Sequence, residues 1–186
     1  FLWTMKLFAF FFGTLFFLSI YPQPMDTILY DFSKNSGLKN WQIVNDNVMG
    51  GLSDGSFSIN ENGHAVFSGR ISLKNNGGFA SVRYYSEPVN LAGKSIIKIR
   101  LKGDGNQYQF RVKKQNRNYW SYITYFETTG DWQTIEIQLE SMYPSFRGRR
   151  LQAPNFDGDQ IEEIGFLFGN KKEEAFQLEL DTIALD

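Results

Sequence analysis

From Ile28 onward, apolar and polar residues alternate in short runs. In "SIIKIRLKG", Ile97, Ile99 and Leu101 fall on one side, with Lys98 and Arg100 on the other. Tyr108, Phe110 and Val112 repeat the arrangement in "YQFRVKK" against Gln109 and Arg111, as do Ile135, Ile137 and Leu139 in "WQTIEIQL" against Glu136. A period of two marks a strand with one buried and one solvated face, the usual condition of an antiparallel sheet. The runs are separated by "NENG", "KNNGG", "KGDGN", "TTGD" and "NFDGD". Glycine, asparagine and aspartate tolerate the backbone angles that tight turns need. No segment carries a helical stripe. About ten strands at such spacing predict an all-β, two-sheet β-sandwich of jelly-roll type. Ser141 to Gln160 is expected to be the one long irregular connection, a length usually kept for function.

The N-terminal residues break this pattern. Met5 and Lys6 precede an uncharged apolar run from Leu7 to Ile20. As a helix that run would extend about 21 Å, short of the roughly 30 Å hydrocarbon core of a bilayer. A basic front and a short apolar block are the layout of a secretory signal. Residues 1–25 are therefore read as a leader helix, either a signal peptide or an uncleaved anchor, with Met5 as the expected true start. Residues 26–186 form the sandwich domain. An exported location is expected, with membrane contact only through the leader.

Composition narrows the chemistry. The chain has 186 residues, a formal net charge of -1, no cysteine and a single histidine. Thiol catalysis, disulfides and multi-histidine zinc patterns are excluded. Nucleic-acid binding has no electrostatic support, because phosphate recognition needs a concentrated basic surface. The short basic spots "RVKKQNR" and "RGRR" read as solvated edges. His64 reads as a residue at the start of a strand. No nucleophile elbow, phosphate loop or selected carboxylate pair is present, so the chain is not read as an enzyme. No cofactor is expected. The Asp-Gly turns in "KGDGN" and "NFDGDQ" leave calcium only as a structural alternative.

An ordered set of motifs carries a resemblance. Trp41, Asp46, "VMGG" and Ser53 are followed by Phe67, Gly69 and "GGFASVR" ending at Arg83. "LKGDGNQY", "DW", "SFRGR" and "IGFLF" come next in order. Together, from about Tyr30 to Leu185, they resemble the complex I intermediate-associated protein 30 family. The resemblance implies a galactose-binding-domain-like sandwich and a non-catalytic role in assembling a protein complex, with respiratory-complex subunits as candidate partners. The leader lacks the Arg- and Ser-rich amphipathic character of a mitochondrial transit peptide.

Candidate binding residues follow. In "WQIVNDNVMGGLSDGSF", Asp46 and Ser53 either cap turn amides while Met49 fills a gap beneath, or join Asn47 in presenting polar groups at the sandwich rim. Arg83 shares a strand face with Phe79, Ser81 and Tyr85. If that face is inward, its guanidinium needs a partner, and Asp46 is the expected one; recognition of a ligand carboxylate or hydroxyl is the alternative. In "NRNYWSYITYF", Trp120 and Tyr122 lie on one face and Tyr119 and Ile123 on the other. One pair packs in the core while the other is free for a sugar ring or a protein. The expected function is protein-complex assembly; the alternative is a carbohydrate-binding module built on the rim loops and the Trp120 region.

Overall fold

The computed structural model describes residues 26–186. The leader helix, signal or anchor expected over residues 1–25 lies outside the described residues. Alternation becomes strands in chain order: β1 (Thr27–Asp31), β2 (Trp41–Ile43), β3 (Asp54–Ile59), β4 (Ala65–Arg70) and β5 (Ala80–Asn90). The middle of the chain gives β6 (Ile96–Lys102), β7 (Gln107–Lys113), β8 (Ser121–Glu127) and β9 (Trp132–Gln138). The last four are β10 (Tyr143–Phe146), β11 (Arg149–Arg150), β12 (Gln160–Phe168) and β13 (Ala175–Leu185). Helical geometry among the described residues is confined to short 3-10 turns at Asp46–Met49, Lys74–Asn76 and Leu139–Ser141.

Every strand pairing is antiparallel. A six-stranded sheet runs β3-β4-β13-β6-β9, with β1 also paired to β13. A seven-stranded sheet runs β11-β10-β8-β7-β12-β5-β2. Their inner faces meet in one core, where Phe67, Ile99, Leu101, Phe110, Phe166 and Leu180 are wholly buried. Each such side chain contributes roughly 1.5–3 kcal/mol of burial, and the sides expected from periodicity are the sides found inward. His64 precedes β4 as expected.

The stretch from Ser141 to Gln160 departs from expectation. Rather than being wholly irregular, it forms β10 and β11, which extend the seven-stranded sheet beyond β8. The hairpin turn between them puts Arg147 and Gly148 at positive φ. These strands are too short for alternation to reveal them.

At one corner, Tyr30, Phe32, Trp41, Phe57 and Tyr84 form an aromatic cluster with ring centroids 4.5–6.0 Å apart. The tyrosine hydroxyl of Tyr30 donates to the Gly37 carbonyl at 2.6 Å. Trp41, the first motif residue, is therefore a packing residue.

Candidate functional site

Asp46 is the hub of the loop that follows β2. It is 1% exposed, and its carboxylate accepts from the backbone amides of Ser53 at 3.0 Å, Gly78 at 2.6 Å and Phe79 at 3.2 Å. The Ser53 hydroxyl also donates to it. Burial alone would raise the Asp46 pKa; these hydrogen bonds outweigh it and hold the acid below its ordinary value. Ser53 completes the stitch, accepting from the Ser72 amide at 3.1 Å. The loops 46–53 and 72–79 are thus locked together through one buried carboxylate.

The glycines around it have a steric reason. A Cβ on Gly51 would run into the Asp46 carboxyl group, and one on Gly77 would lie 2.6 Å from its Oδ2. Gly50 takes φ 89°, in the left-handed region. One glycine of each pair, Gly51 in "VMGG" and Gly77 in "NNGG", leaves the space that Asp46 occupies.

Asp46 and Ser53 consequently point inward, while Asn47 is exposed on the turn. What the locked loop presents to solvent is apolar. Val48 is 69% exposed and Met49 58%, and Leu52 and Leu73 are also exposed. The expectation that Met49 fills a gap beneath the turn is corrected: with Asp46 already filling that space, Met49 is displaced outward.

Arg83 is corrected too. Its neighbours Ala80 and Val82 point into the core, so Arg83, Ser81 and Tyr85 lie on the outer face of the seven-stranded sheet. Asp46 is saturated by amides and Ser53, and the carboxylate near Arg83 is Glu163, with Arg83 Nε 4.0 Å from its Oε1. That is too long for a hydrogen bond. Lys113 Nζ approaches Glu163 Oε2 at 3.0 Å, but off the hydrogen-bonding direction, so Oε2 is paired by charge without a directed bond.

Register places the rest of this face. Arg83 on β5 and Arg111 on β7 both stand beside Gly165 of β12. Tyr85 and Lys113 flank Glu163, and Ser81 and Gln109 flank Leu167. Beyond β7, Arg111 faces Ile123 and Gln109 faces Tyr125; Ile123 in turn faces Tyr143, over which Arg150 lies at 4.6 Å. Glu163 is 4% exposed and Gln109 5% although no second sheet covers them. Arg83 Nε, Arg111 Nε and Gln109 Oε1 are buried without a hydrogen-bond partner. Burial, then the like charge of Arg83, brings the Arg111 pKa down to about 10, with Glu163 acting in the opposite direction.

Trp120 is partly buried against the core and meets Tyr122 edge-on at 4.6 Å. Tyr119 is exposed, whereas Ile123 is buried on the outer face. Of the residues expected at the site, Asp46 and Ser53 come together with Asn47 beside them; Arg83 and Trp120 lie elsewhere.

The sequence matches the family described as Complex I intermediate-associated protein 30 (CIA30) over residues 30–180. The chain belongs to the CIA30 family. A relative from Mus musculus, "Complex I intermediate-associated protein 30, mitochondrial", is 22% identical over 182 residues, covering 85% of this chain and 55% of the relative. The chain thus spans about half the length of that relative. Among solved structures, the family 11 carbohydrate-binding module from Clostridium thermocellum, in complex with a beta-1,3-1,4-mixed-linked tetrasaccharide, is similar with a TM-score of 0.63 and 19% identity. That similarity covers 86% of this chain and 94% of the module. The agarase AgWH50C is similar with a TM-score of 0.60 and 13% identity, over 87% of this chain and 24% of the agarase. At these identities the likeness shows the shared two-sheet β-sandwich fold alone.

Within this CIA30 domain, the motif residues Trp41, Asp46 and Ser53 build the frame. Residues with unmet bonding capacity, Gln109, Arg111 and Glu163, escaped the sequence reading. Their alternation was visible, but period two assigns a side and cannot say that an outward side is also buried.

Proposed function

We propose that this chain is a non-catalytic protein-binding module that helps assemble a larger complex, with respiratory-complex subunits as the first candidates. CIA30 membership and the name of the mouse relative support this reading. The observation that carries it is the locked loop. Large apolar side chains at Val48, Met49, Leu52 and Leu73 are held in water on a frame fixed by Asp46. Exposed apolar residues on an ordered support suit a protein partner, since little conformational freedom remains to be lost on binding. Export by the leader is part of the same proposal.

The test compares the full chain with a Val48→Ser, Met49→Ser, Leu52→Ser triple variant in affinity purification from native membranes. Wild type is expected to enrich respiratory-complex subunits, and the variant to lose about tenfold or more of that recovery. The melting temperature should stay nearly constant, because the substituted side chains are exposed. Equal recovery by both proteins would remove the loop from the reading.

A second reading, a carbohydrate-binding module, is favoured by a different observation. The outer face of the seven-stranded sheet gathers tyrosines beside unpartnered polar atoms, on a sandwich similar to a module that was solved with a tetrasaccharide bound.

A further inference from the structure

The buried polar atoms on that face need partners of two kinds. Arg83 Nε and Arg111 Nε are donors seeking an acceptor, whereas Gln109 Oε1 is an acceptor seeking a donor. The arginines stand on strands either side of β12, about 10 Å apart at the backbone, and the residue between them is Gly165. A Cβ there would lie 2.8 Å from the Val82 carbonyl oxygen and 3.4 Å from Arg83 Cγ. Glycine is required there by the Val82 carbonyl, and it leaves the space between the two arginines without a side chain. Lys113 and Arg150 add positive charge, and Glu163 is the one acid buried among these groups.

We propose that the outer face of the seven-stranded sheet binds an acidic saccharide, whose carboxylate sits between Arg83 and Arg111 while its hydroxyls bond Gln109 and Glu163. The proposal rests on the second reading above and adds the ligand's charge and the residues that read it. A uronic acid carries hydroxyls on the ring that bears its carboxylate, so it brings acceptors and donors together. An Asp or Glu side chain offers only acceptors at its tip and brings no hydroxyl donor for Gln109 and Glu163. The exposed ring of Tyr125 on β8 and the half-buried ring of Tyr143 on β10 lie beyond Arg111 on the same face, giving amphipathic surfaces on which sugar rings pack. Charge-assisted bonds made by poorly hydrated groups are the strong kind.

Calorimetric titration of the full chain would use tetragalacturonate and tetramannuronate as acidic probes, cellotetraose as the neutral one, and tetraglutamate as the peptide control. At least one uronate is expected to bind, more weakly at high salt. Arg83→Gln and Arg111→Gln should each weaken it about tenfold or more, and Arg111→Lys by less, because charge persists without the planar fork. Circular dichroism establishes that each variant is folded, and Arg100→Gln, on the outer face of the six-stranded sheet, should retain uronate binding. Cellotetraose binding as tightly as the uronates would overturn the acidic assignment while leaving the carbohydrate reading in place. Binding of tetraglutamate alone would overturn both and favour a protein ligand on this face. No binding by any probe would likewise sink the saccharide proposal together with the reading beneath it.

Discussion

The two sheets treat charge on their outer faces in opposite ways. On the six-stranded sheet, Arg100 Nε lies 3.1 Å from Asp181 and its guanidinium carbon lies 5.3 Å above the Trp132 ring. Lys98 reaches Asp186 at 2.7 Å and Asp26 at 3.3 Å, and His64 sits between Glu179 and Asp181. Apart from His64 Nδ1, which is buried without a hydrogen-bond partner, these groups are paired and partly solvated, a condition in which each pair contributes little. On the seven-stranded sheet, Glu163 is buried beneath Lys113 with Arg83 at 4.0 Å, and the Nε atoms of Arg83 and Arg111 lack hydrogen-bond partners. Burying charge without full compensation opposes folding. One face is nearly finished as a surface; the other gathers several groups whose bonding capacity folding has left unused.

The sharpest way to break this contrast is to remove Glu163. Glu163→Ala leaves Lys113, Arg83 and Arg111 close together with no buried counter-charge. A loss of about 3–5 kcal/mol is expected, the usual result of stripping one partner from a buried pair. Urea denaturation measures it. A change below about 1 kcal/mol would mean that Glu163 behaves as a surface acid, and the two faces would then be alike.

Arg111→Met should act with the opposite sign. It replaces an uncompensated guanidinium with an apolar chain of comparable reach beside Ile123 and Tyr125, while Glu163 keeps Lys113. Stability is expected to hold or rise by about 1 kcal/mol, in line with apolar replacements of buried charges. Thermal denaturation checks it. Marked destabilisation would show that Arg111 already serves the fold.

How much of this was legible beforehand depends on the physics behind each feature. Alternation predicted the sandwich because burial of Ile97, Ile99, Leu101, Tyr108, Phe110 and Val112 depends on side-chain period alone. Asp46 was singled out from its motif, but its role depends on amides at Gly78 and Phe79, more than thirty residues away in the chain. Nothing local to "NDNVMGG" announces them. The same long-range filling expelled Met49. Arg83 was expected to pair with Asp46 if its face were inward; the face is outward, and the acid near it is Glu163, a neighbour only through β5–β12 pairing. β10 and β11 were hidden because strands of four and two residues hold too few positions to show a period.

The smallest effect is the control for the whole comparison. Asp181→Ala removes a carboxylate that Arg100 and His64 share on the six-stranded face. Arg100 stays half in solvent and keeps its place over Trp132, so water takes over the lost contact without stranding a charge. At most about 1 kcal/mol should be lost, shrinking further as salt is raised. Urea denaturation at low and high ionic strength reads both numbers. The two deletions differ chiefly in whether water can reach what remains. A loss as large as that of Glu163→Ala would therefore mean that solvation does not separate the faces, and the unsatisfied atoms around Arg111 would no longer single out the seven-stranded sheet as the side that meets a ligand.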